Sequence, residues 1–329
     1  MADLEDAPSV VCLRPRRDFE QMGIEIPADL DVTFYDSERQ LAGVGPDAQC
    51  VVLPSAGPTL SREFFSHATG LTLVQYTGAG IDRIADDVIT SLGCAVCNVP
   101  GASAPDVASY VVVVSGILLR RLLAGDRIMK VGNFGESRSL LEPARVRGFR
   151  GLSVGIIGFG GIGYEVATAF HSLGAEVSWF DPTPAASDPL GLFERVDLDA
   201  LLDRAEVLTV HVPLTDATRG LIDAAALARL RPGALVVNAA RGGIVDEVAL
   251  MEALDSGHLG GVALDVFEHE PLPEDSSIVT WAQRHRDEVI LTPHIAGVTP
   301  EASRVLFESA WSNVRTFLIE GGEPRHRLK

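Results

Sequence analysis

The sequence predicts an α/β protein built on parallel sheets. Three observations carry this. In the first hundred residues short β-rich runs alternate with polar, helix-capable stretches. A glycine-rich loop, Gly158-Phe-Gly160-Gly161-Ile-Gly163, then joins an apolar strand pattern to a helix pattern, and a second strand–helix series follows it. Alternation of this kind buries strands between helices and favours parallel pairing. At roughly 150 residues per domain, a chain of 329 residues makes about two domains.

The first strands are predicted at residues 10–13, 32–35, 50–53, 72–76 and 95–99, each an apolar or β-branched run between turn residues. Ser103, Pro105 and Asp106 supply an N-cap, a first-turn proline and an early acid, so a helix starts there. The run Val111-Val-Val-Val114 suits a strand equally well, but burial overrides propensity and we predict one long helix. Residues 132–150, mixed and rich in Gly, Arg and Ser, read as a long loop. Strands follow at 153–157, 176–180, 207–211, 234–238, 261–264 and 289–291, with helices at 162–173, 223–230 and 246–256. Residues 300–320 form a last helix whose apolar positions are Val305, Leu306, Trp311, Val314 and Leu318.

Composition narrows the function. With 47% hydrophobic residues the chain can build a large core, which excludes wholesale disorder. It carries 27 Lys and Arg against 45 Asp and Glu, a net charge of −18 that repels nucleic acid and anionic membranes. Lys130 and Lys329 are the only lysines, which leaves little room for Schiff-base chemistry. The acidic start has no basic and apolar leader pattern, and the longest uncharged apolar run, 107–119, is too short to span a bilayer. A cytoplasmic protein is expected. Cys94 and Cys97 match C-x-x-C, but in an extended run they face opposite sides; free buried thiols and no metal site are predicted.

The glycine loop stands between a strand and a helix, and Asp181 ends the next strand. This is the Rossmann arrangement for a dinucleotide. Gly158 makes the tight turn, Gly160 lets the backbone approach a pyrophosphate, and Gly163 allows close helix–strand packing. Gly161 and Ile162 complete the loop, at the helix N-terminus where phosphates bind. Asp181 would accept hydrogen bonds from the adenosine ribose. NAD is the predicted cofactor.

Three further segments are distinctive: Asn238-Ala-Ala-Arg241-Gly-Gly-Ile-Val-Asp246, Leu264-Asp265-Val-Phe-Glu-His-Glu270-Pro271 and Thr292-Pro293-His294-Ile-Ala-Gly297. With the Gly158 loop, they make the chain resemble the D-isomer-specific 2-hydroxyacid dehydrogenase family, most clearly from about residue 71 to 297. Residues 77–82 and 211–215 are also similar to family segments. The resemblance implies two Rossmann-like or flavodoxin-like parallel-sheet domains with the active site in the cleft between them. Residues 1–100 plus 294–329 would form a discontinuous substrate domain, and 101–293 the NAD domain. It also implies a homodimer and hydride transfer between NAD(H) and a small 2-keto or 2-hydroxy acid of D configuration.

By this resemblance Arg241, Glu270 and His294 carry the chemistry, and the residue types suit it. Reduction of a 2-keto acid needs a cation for the carboxylate and ketone, which the planar fork of Arg241 offers. It needs a proton donor with a pKa near ~6.5, which His294 offers. It needs an acid to keep that donor charged, for which Glu270 matches the family and Glu268 and His269 are neighbouring rivals. The glycine-rich turn at Ala79 and Gly80 would hold the substrate carboxylate on backbone N–H groups, although an ordinary turn looks the same. Asp265 resembles the acid that orients the nicotinamide carboxamide, and His211 and Pro213 line the cofactor in relatives. Asp82 and Asn98 read as structural.

There are departures. Ala108-Ser109 stands where relatives often carry Ala-Glu, and Pro54-Ser55 where phosphoglycerate-specific relatives carry Arg-Ser. No regulatory segment is expected beyond the last helix. Glu270 distinguishes the chain from formate enzymes, which use Gln, and the turn at 77–80 lacks the Lys of phosphite enzymes. The expectation is therefore a small, unphosphorylated 2-keto acid. The alternatives are an NAD-sensing binding protein similar to a co-repressor, or a dehydrogenase for another substrate such as phosphite.

Overall fold

The computed structural model describes residues 7–37, 40–132, 134–135, 138, 146–183 and 186–328. The chain forms two compact units, Met1–Ser103 with Val298–Lys329 and Ala104–Gly297.

The first unit holds a five-stranded parallel sheet of β1 (Ser9–Cys12), β2 (Asp31–Phe34), β3 (Cys50–Leu53), β4 (Leu73–Tyr76) and β5 (Ala95–Cys97), in the order β2-β1-β3-β4-β5. Its helices include α1 (Arg16–Gln21), α2 (Asp86–Leu92) and the tail helix Pro300–Leu318. Successive strand residues enter two different cores, as a period of two requires. Val11, Val51, Val74 and Val96 pack with Phe64, Phe65 and Ile84. Val10, Val52, Leu73 and Cys97 pack with Phe19, Phe307 and Trp311. Both faces of β1, β3 and β5 are covered, which explains why these strands are nearly continuous apolar runs, whereas the edge strand β2 is half-exposed. The four cysteines are free and buried, with Cys94 and Cys97 in opposite cores.

Thr299 caps the tail helix through the Ala302 N–H, and Pro300 occupies its first turn. The helix ends at Leu318, and Val305 is 48% exposed rather than part of the apolar face. Phe307 and Ala310 are buried in its place. The sheet surface selects which stripe of the helix it covers, and alternatives one residue apart look alike in sequence.

The second unit begins with α3 (Ala104–Leu119) and α4 (Leu122–Lys130). It then alternates β6 (Ser153–Ile157), α5 (Gly161–Ser172), β7 (Glu176–Phe180), β8 (Glu194–Arg195), α6 (Leu198–Arg204), β9 (Val207–Val210) and α7 (Ala224–Arg229). The series closes with β10 (Ala234–Asn238), α8 (Glu247–Asp255), β11 (Leu259–Leu264), α9 (Ser277–Arg284) and β12 (Val289–Leu291). The seven strands are ordered β12-β11-β10-β9-β6-β7-β8, so the connection order reverses between β6 and β9. In such sheets ligands bind outside the strand carboxyl ends at that switch point.

The β-branched run 111–114 is helical. Val111 and Val114 are buried, and α3 packs on α5, β10 and β11. No single described helix is long and apolar enough to cross a membrane. The predicted loop 132–150 needs correction, because Phe134, Gly135 and Arg138 are helical. No proline interrupts the chain before Pro143, and an isolated glycine costs a helix only ~1 kcal/mol. Residues 133, 136–137 and 139–145 of that stretch lie outside the described residues.

Candidate active site

β6 ends at Ile157, and Gly158 turns the chain at φ +94°. A Cβ there would stand 2.6 Å from the His211 carbonyl carbon and oxygen, so the turn demands glycine by conformation and by space. Gly163, in the first turn of α5, lies so close to the Gly158 carbonyl oxygen that a Cβ would overlap it. Gly160 and Gly161 differ, since a Cβ on either would meet nothing within 4 Å. Gly160 caps α5 without a side chain, whereas Asp197, Asp223 and Asp246 cap α6, α7 and α8. The first N–H groups of α5 thus receive no side-chain cap, and the helix dipole makes this end favourable for an anion. Ile162 packs partly buried against the core beneath.

Asp181 follows β7. Its Oδ2 accepts from the Phe159 N–H at 2.7 Å and its Oδ1 from the Thr183 N–H at 2.7 Å. The carboxylate thus braces the glycine loop and keeps further lone pairs for a hydroxyl. His211 follows β9 with Nε2 2.8 Å from Thr209 Oγ1. Desolvation of the ring pulls its pKa from 6.5 down to about 3, so it is neutral at physiological pH. Its Nδ1 has no hydrogen-bond partner among the described residues. The Pro213 carbonyl accepts from Thr218 Oγ1 at 2.6 Å.

At the carboxyl end of β10, Asn238 winds the backbone. Its Oδ1 accepts from Ala240 N at 3.1 Å and its Nδ2 donates to the Arg241 carbonyl at 2.9 Å. Arg241 Nη1 donates to the Ala240 carbonyl at 2.7 Å. A Cβ on Gly242 would overlap the Phe267 carbonyl, and this close approach brings the Arg241 segment against the segment bearing Glu270.

Glu270 Oε1 accepts from Phe267 N at 3.1 Å, and its Oε2 lies 2.7 Å from His294 Nδ1. Burial raises the Glu270 pKa. The His294 hydrogen bond and charge, the Phe267 N–H and the Arg241 guanidinium together outweigh that and hold it below the usual 4.5. Glu268 and His269 are exposed, so Glu270 is the carboxylate that meets His294.

His294 has φ +56°, a left-handed backbone uncommon outside glycine. Asp265, 1% exposed, over-determines that turn. Its carbonyl accepts from His294 N at 2.8 Å. Its Oδ1 accepts from Thr292 Oγ1 at 2.6 Å and Ile295 N at 2.8 Å, and its Oδ2 from Ala296 N at 2.7 Å. Tyr110 Oη is 2.6 Å from Thr292 Oγ1. A carboxylate only accepts, so Thr292 donates to Asp265 and Tyr110 donates to Thr292. Asn238, Thr292 and Tyr110 went unassigned in the sequence. The first two stand inside motifs, but Tyr110 is 182 residues from its partner and carries no local signal.

In the first unit the turn after β4 is tied from several sides. Asn98 Nδ2 donates to the Ala79 carbonyl at 2.7 Å, and Tyr76 Oη donates to the Ile81 carbonyl at 3.0 Å. The loop after β3 is fastened by Arg83, 2% exposed, which donates to the carbonyls of Pro54 at 3.2 Å and Pro58 at 3.0 Å. Arg62 pairs with Asp87 at 3.0 Å.

The NAD-binding-domain pattern of the D-isomer-specific 2-hydroxyacid dehydrogenases matches residues 116–296. The chain belongs to this family. It is 36% identical to the (S)-sulfolactate dehydrogenase of Chromohalobacter salexigens over 88% of this chain and 90% of that one. It is 37% identical to the D-3-phosphoglycerate dehydrogenase of Mycobacterium bovis over 81% of this chain but 48% of the relative, and so spans about half of that protein's length. Among solved structures, D-lactate dehydrogenase from Aquifex aeolicus, complexed with NAD and lactic acid, has a TM-score of 0.81 at 26% identity, covering 95% of this chain and 98% of that one. The cofactor of this dehydrogenase family member is NAD. The open face at Gly160 and Gly161 and the uncapped start of α5 fit a dinucleotide phosphate.

Proposed function

We propose that the protein interconverts a small 2-keto acid and its D-2-hydroxy acid with NAD(H). The 2.7 Å contact between His294 Nδ1 and Glu270 Oε2, with the Arg241 charge acting on the same carboxylate, carries this reading. NADH supplies the hydride when bound. His294 Nδ1 is engaged by Glu270, which leaves Nε2 to protonate the ketone oxygen as it gains charge. In the reverse direction the neutral ring takes the hydroxyl proton. Arg241 grips the substrate carboxylate and polarises the ketone. The family resemblance assigns substrate binding also to the backbone N–H groups of Ala79 and Gly80.

On the cofactor side, Gly158 and Gly163 shape the loop, and the N–H groups at Gly160, Gly161 and Ile162 receive the phosphates. Asp181 receives the ribose hydroxyls, while the neutral His211 ring and Pro213 line the site. Asp265 keeps acceptor capacity on Oδ2 for the carboxamide. The unit Met1–Ser103 with Val298–Lys329 is then the substrate domain and Ala104–Gly297 the NAD domain. Exposed Val113, Leu122, Met129 and Val131 on and beside α3 and α4 support a homodimer formed through the NAD domain.

Turnover of NADH with glyoxylate, pyruvate, hydroxypyruvate and 3-phosphohydroxypyruvate tests the reading. One of the first three should have the highest kcat/KM. A phosphate needs a second cationic clamp, and the two arginines closest in sequence to the turns at 54–57 and 77–80 are engaged, Arg83 with the Pro54 and Pro58 carbonyls and Arg62 with Asp87. A highest value for the phosphorylated compound would contradict this choice. Tight NADH binding without turnover on any compound would favour a binding protein.

NADH should be preferred to NADPH, because Asp181 sets a carboxylate against a 2′-phosphate. Equal kcat/KM for the two would remove Asp181 from its role. Glu270→Gln should move the limb of the reduction pH–rate profile to lower pH, since the charge favouring the imidazolium is gone. An unmoved profile would break the assigned pair. For stability the sign is that of a lowered carboxyl. The contribution of Glu270 is full above about pH 4.5, its ordinary pKa, and is lost as pH falls through its folded value.

A further inference from the structure

Arg195 belongs to no motif. It stands on the two-residue edge strand β8, opposite Trp179 of β7. Its Nη1 donates to the Ala186 carbonyl at 3.0 Å, and its Nη2 to the carbonyls of Thr183 at 3.3 Å and Asp181 at 3.4 Å. Its guanidinium carbon lies 4.9 Å from the centre of the Trp179 ring. That ring stacks on Phe159, with centres 4.2 Å apart and planes 14° from parallel. Phe159 is the second residue of the glycine loop, and its N–H donates to Asp181 Oδ2 at 2.7 Å. The contacts close a circle. Arg195 holds the Asp181 backbone, the Asp181 carboxylate holds Phe159, Phe159 stacks on Trp179, and Trp179 carries Arg195.

We propose that Arg195 is a positioning residue for the adenosine half of the cofactor: by fastening the backbone at Asp181, Thr183 and Ala186 to the face of Trp179, it sets the Asp181 carboxylate for the ribose hydroxyls. The inference rests on the NAD reading above. The contacts indicate geometry rather than charge as the working property. Three carbonyls fan out from one planar fork, a pattern an ammonium cannot reproduce, and the flat guanidinium also lies on an aromatic face. Carbonyls accept these N–H groups without neutralising Asp181. A 2′-phosphate therefore still meets the carboxylate, and Arg195 does not turn the site toward NADPH.

The test is NADH binding measured by calorimetry with no keto acid present, on wild type, Arg195→Met and Arg195→Lys. Arg195→Met should raise the Kd for NADH about tenfold, the scale of losing several exposed hydrogen bonds and a cation–π contact. Arg195→Lys keeps the charge and should show most of the same loss. KM for NADH should rise in step while KM for the keto acid stays put, and NADPH should remain the weaker ligand in all three proteins. Thermal midpoints show whether the variants fold. Wild-type affinity in Arg195→Met, or full rescue by Arg195→Lys, would overturn the proposal. So would a selective loss of NADPH binding, which would make Arg195 a phosphate clamp. Wild-type protein that bound no NADH would bring down the underlying reading and the inference together. Wild-type binding with unchanged variants would bring down the inference alone.

Discussion

Replacing His294 with alanine should cut keto-acid reduction by ~10²–10⁴-fold and leave NADH affinity within about twofold of wild type. The ring meets Glu270 through Nδ1 at 2.7 Å, and the Phe267 N–H donates to the other carboxylate oxygen at 3.1 Å. Alanine removes the proton donor and acceptor together. It also leaves Glu270 half-buried without its main partner, so a modest loss of thermal stability should accompany the loss of rate. The backbone at φ +56° raises the question of misfolding. Asparagine tolerates that conformation well, so His294→Asn is the control and should be equally slow. Steady-state rates at saturating NADH, with NADH binding measured separately, decide the matter. A variant that keeps a tenth of wild-type turnover would take His294 out of proton transfer.

Gly163→Ala should raise the Kd for NADH by ~10–10²-fold, the range of a badly overpacked contact. The added methyl would overlap the Gly158 carbonyl oxygen, which is backbone and has no rotamer to yield with. Relief requires α5 to back away from β6, and that displaces the N–H groups at Gly160 and Gly161 that would face the phosphates. Calorimetric titration with NADH measures the effect, and circular dichroism shows whether the fold survives. Affinity within a factor of three of wild type would mean that the loop does not set phosphate binding.

Parts of this molecule were legible in one dimension because their physics is local. β3, β6, β7, β10 and β12 span the residues predicted for them; β3, β6 and β10 are buried almost throughout, and a strand covered on both faces reads as an apolar run. The Gly158 turn and the Ser103 helix start are likewise local stereochemistry. Within the helix-capable stretches α1 and α2 have no bounds legible in the sequence, and α4, α6, α9 and the edge strand β8 leave no sign there, because so few turns show no clear period. At the site, the sequence by itself determined which residue types stand near the strand ends: Arg241, Glu270, His294, Asp265 and Asp181. The resemblance pointed to Glu270 over Glu268 and His269, and the tertiary structure supplied the contact itself, Glu270 Oε2 at 2.7 Å from His294 Nδ1. Only the tertiary structure brought Tyr110 to Thr292 and Arg195 to Asp181, and it turned Val305 outward in favour of Phe307. The reason is physical. Turns and strand patterns depend on neighbours along the chain, whereas hydrogen bonds between distant segments depend on how sheets and helices stack, which no local spacing encodes.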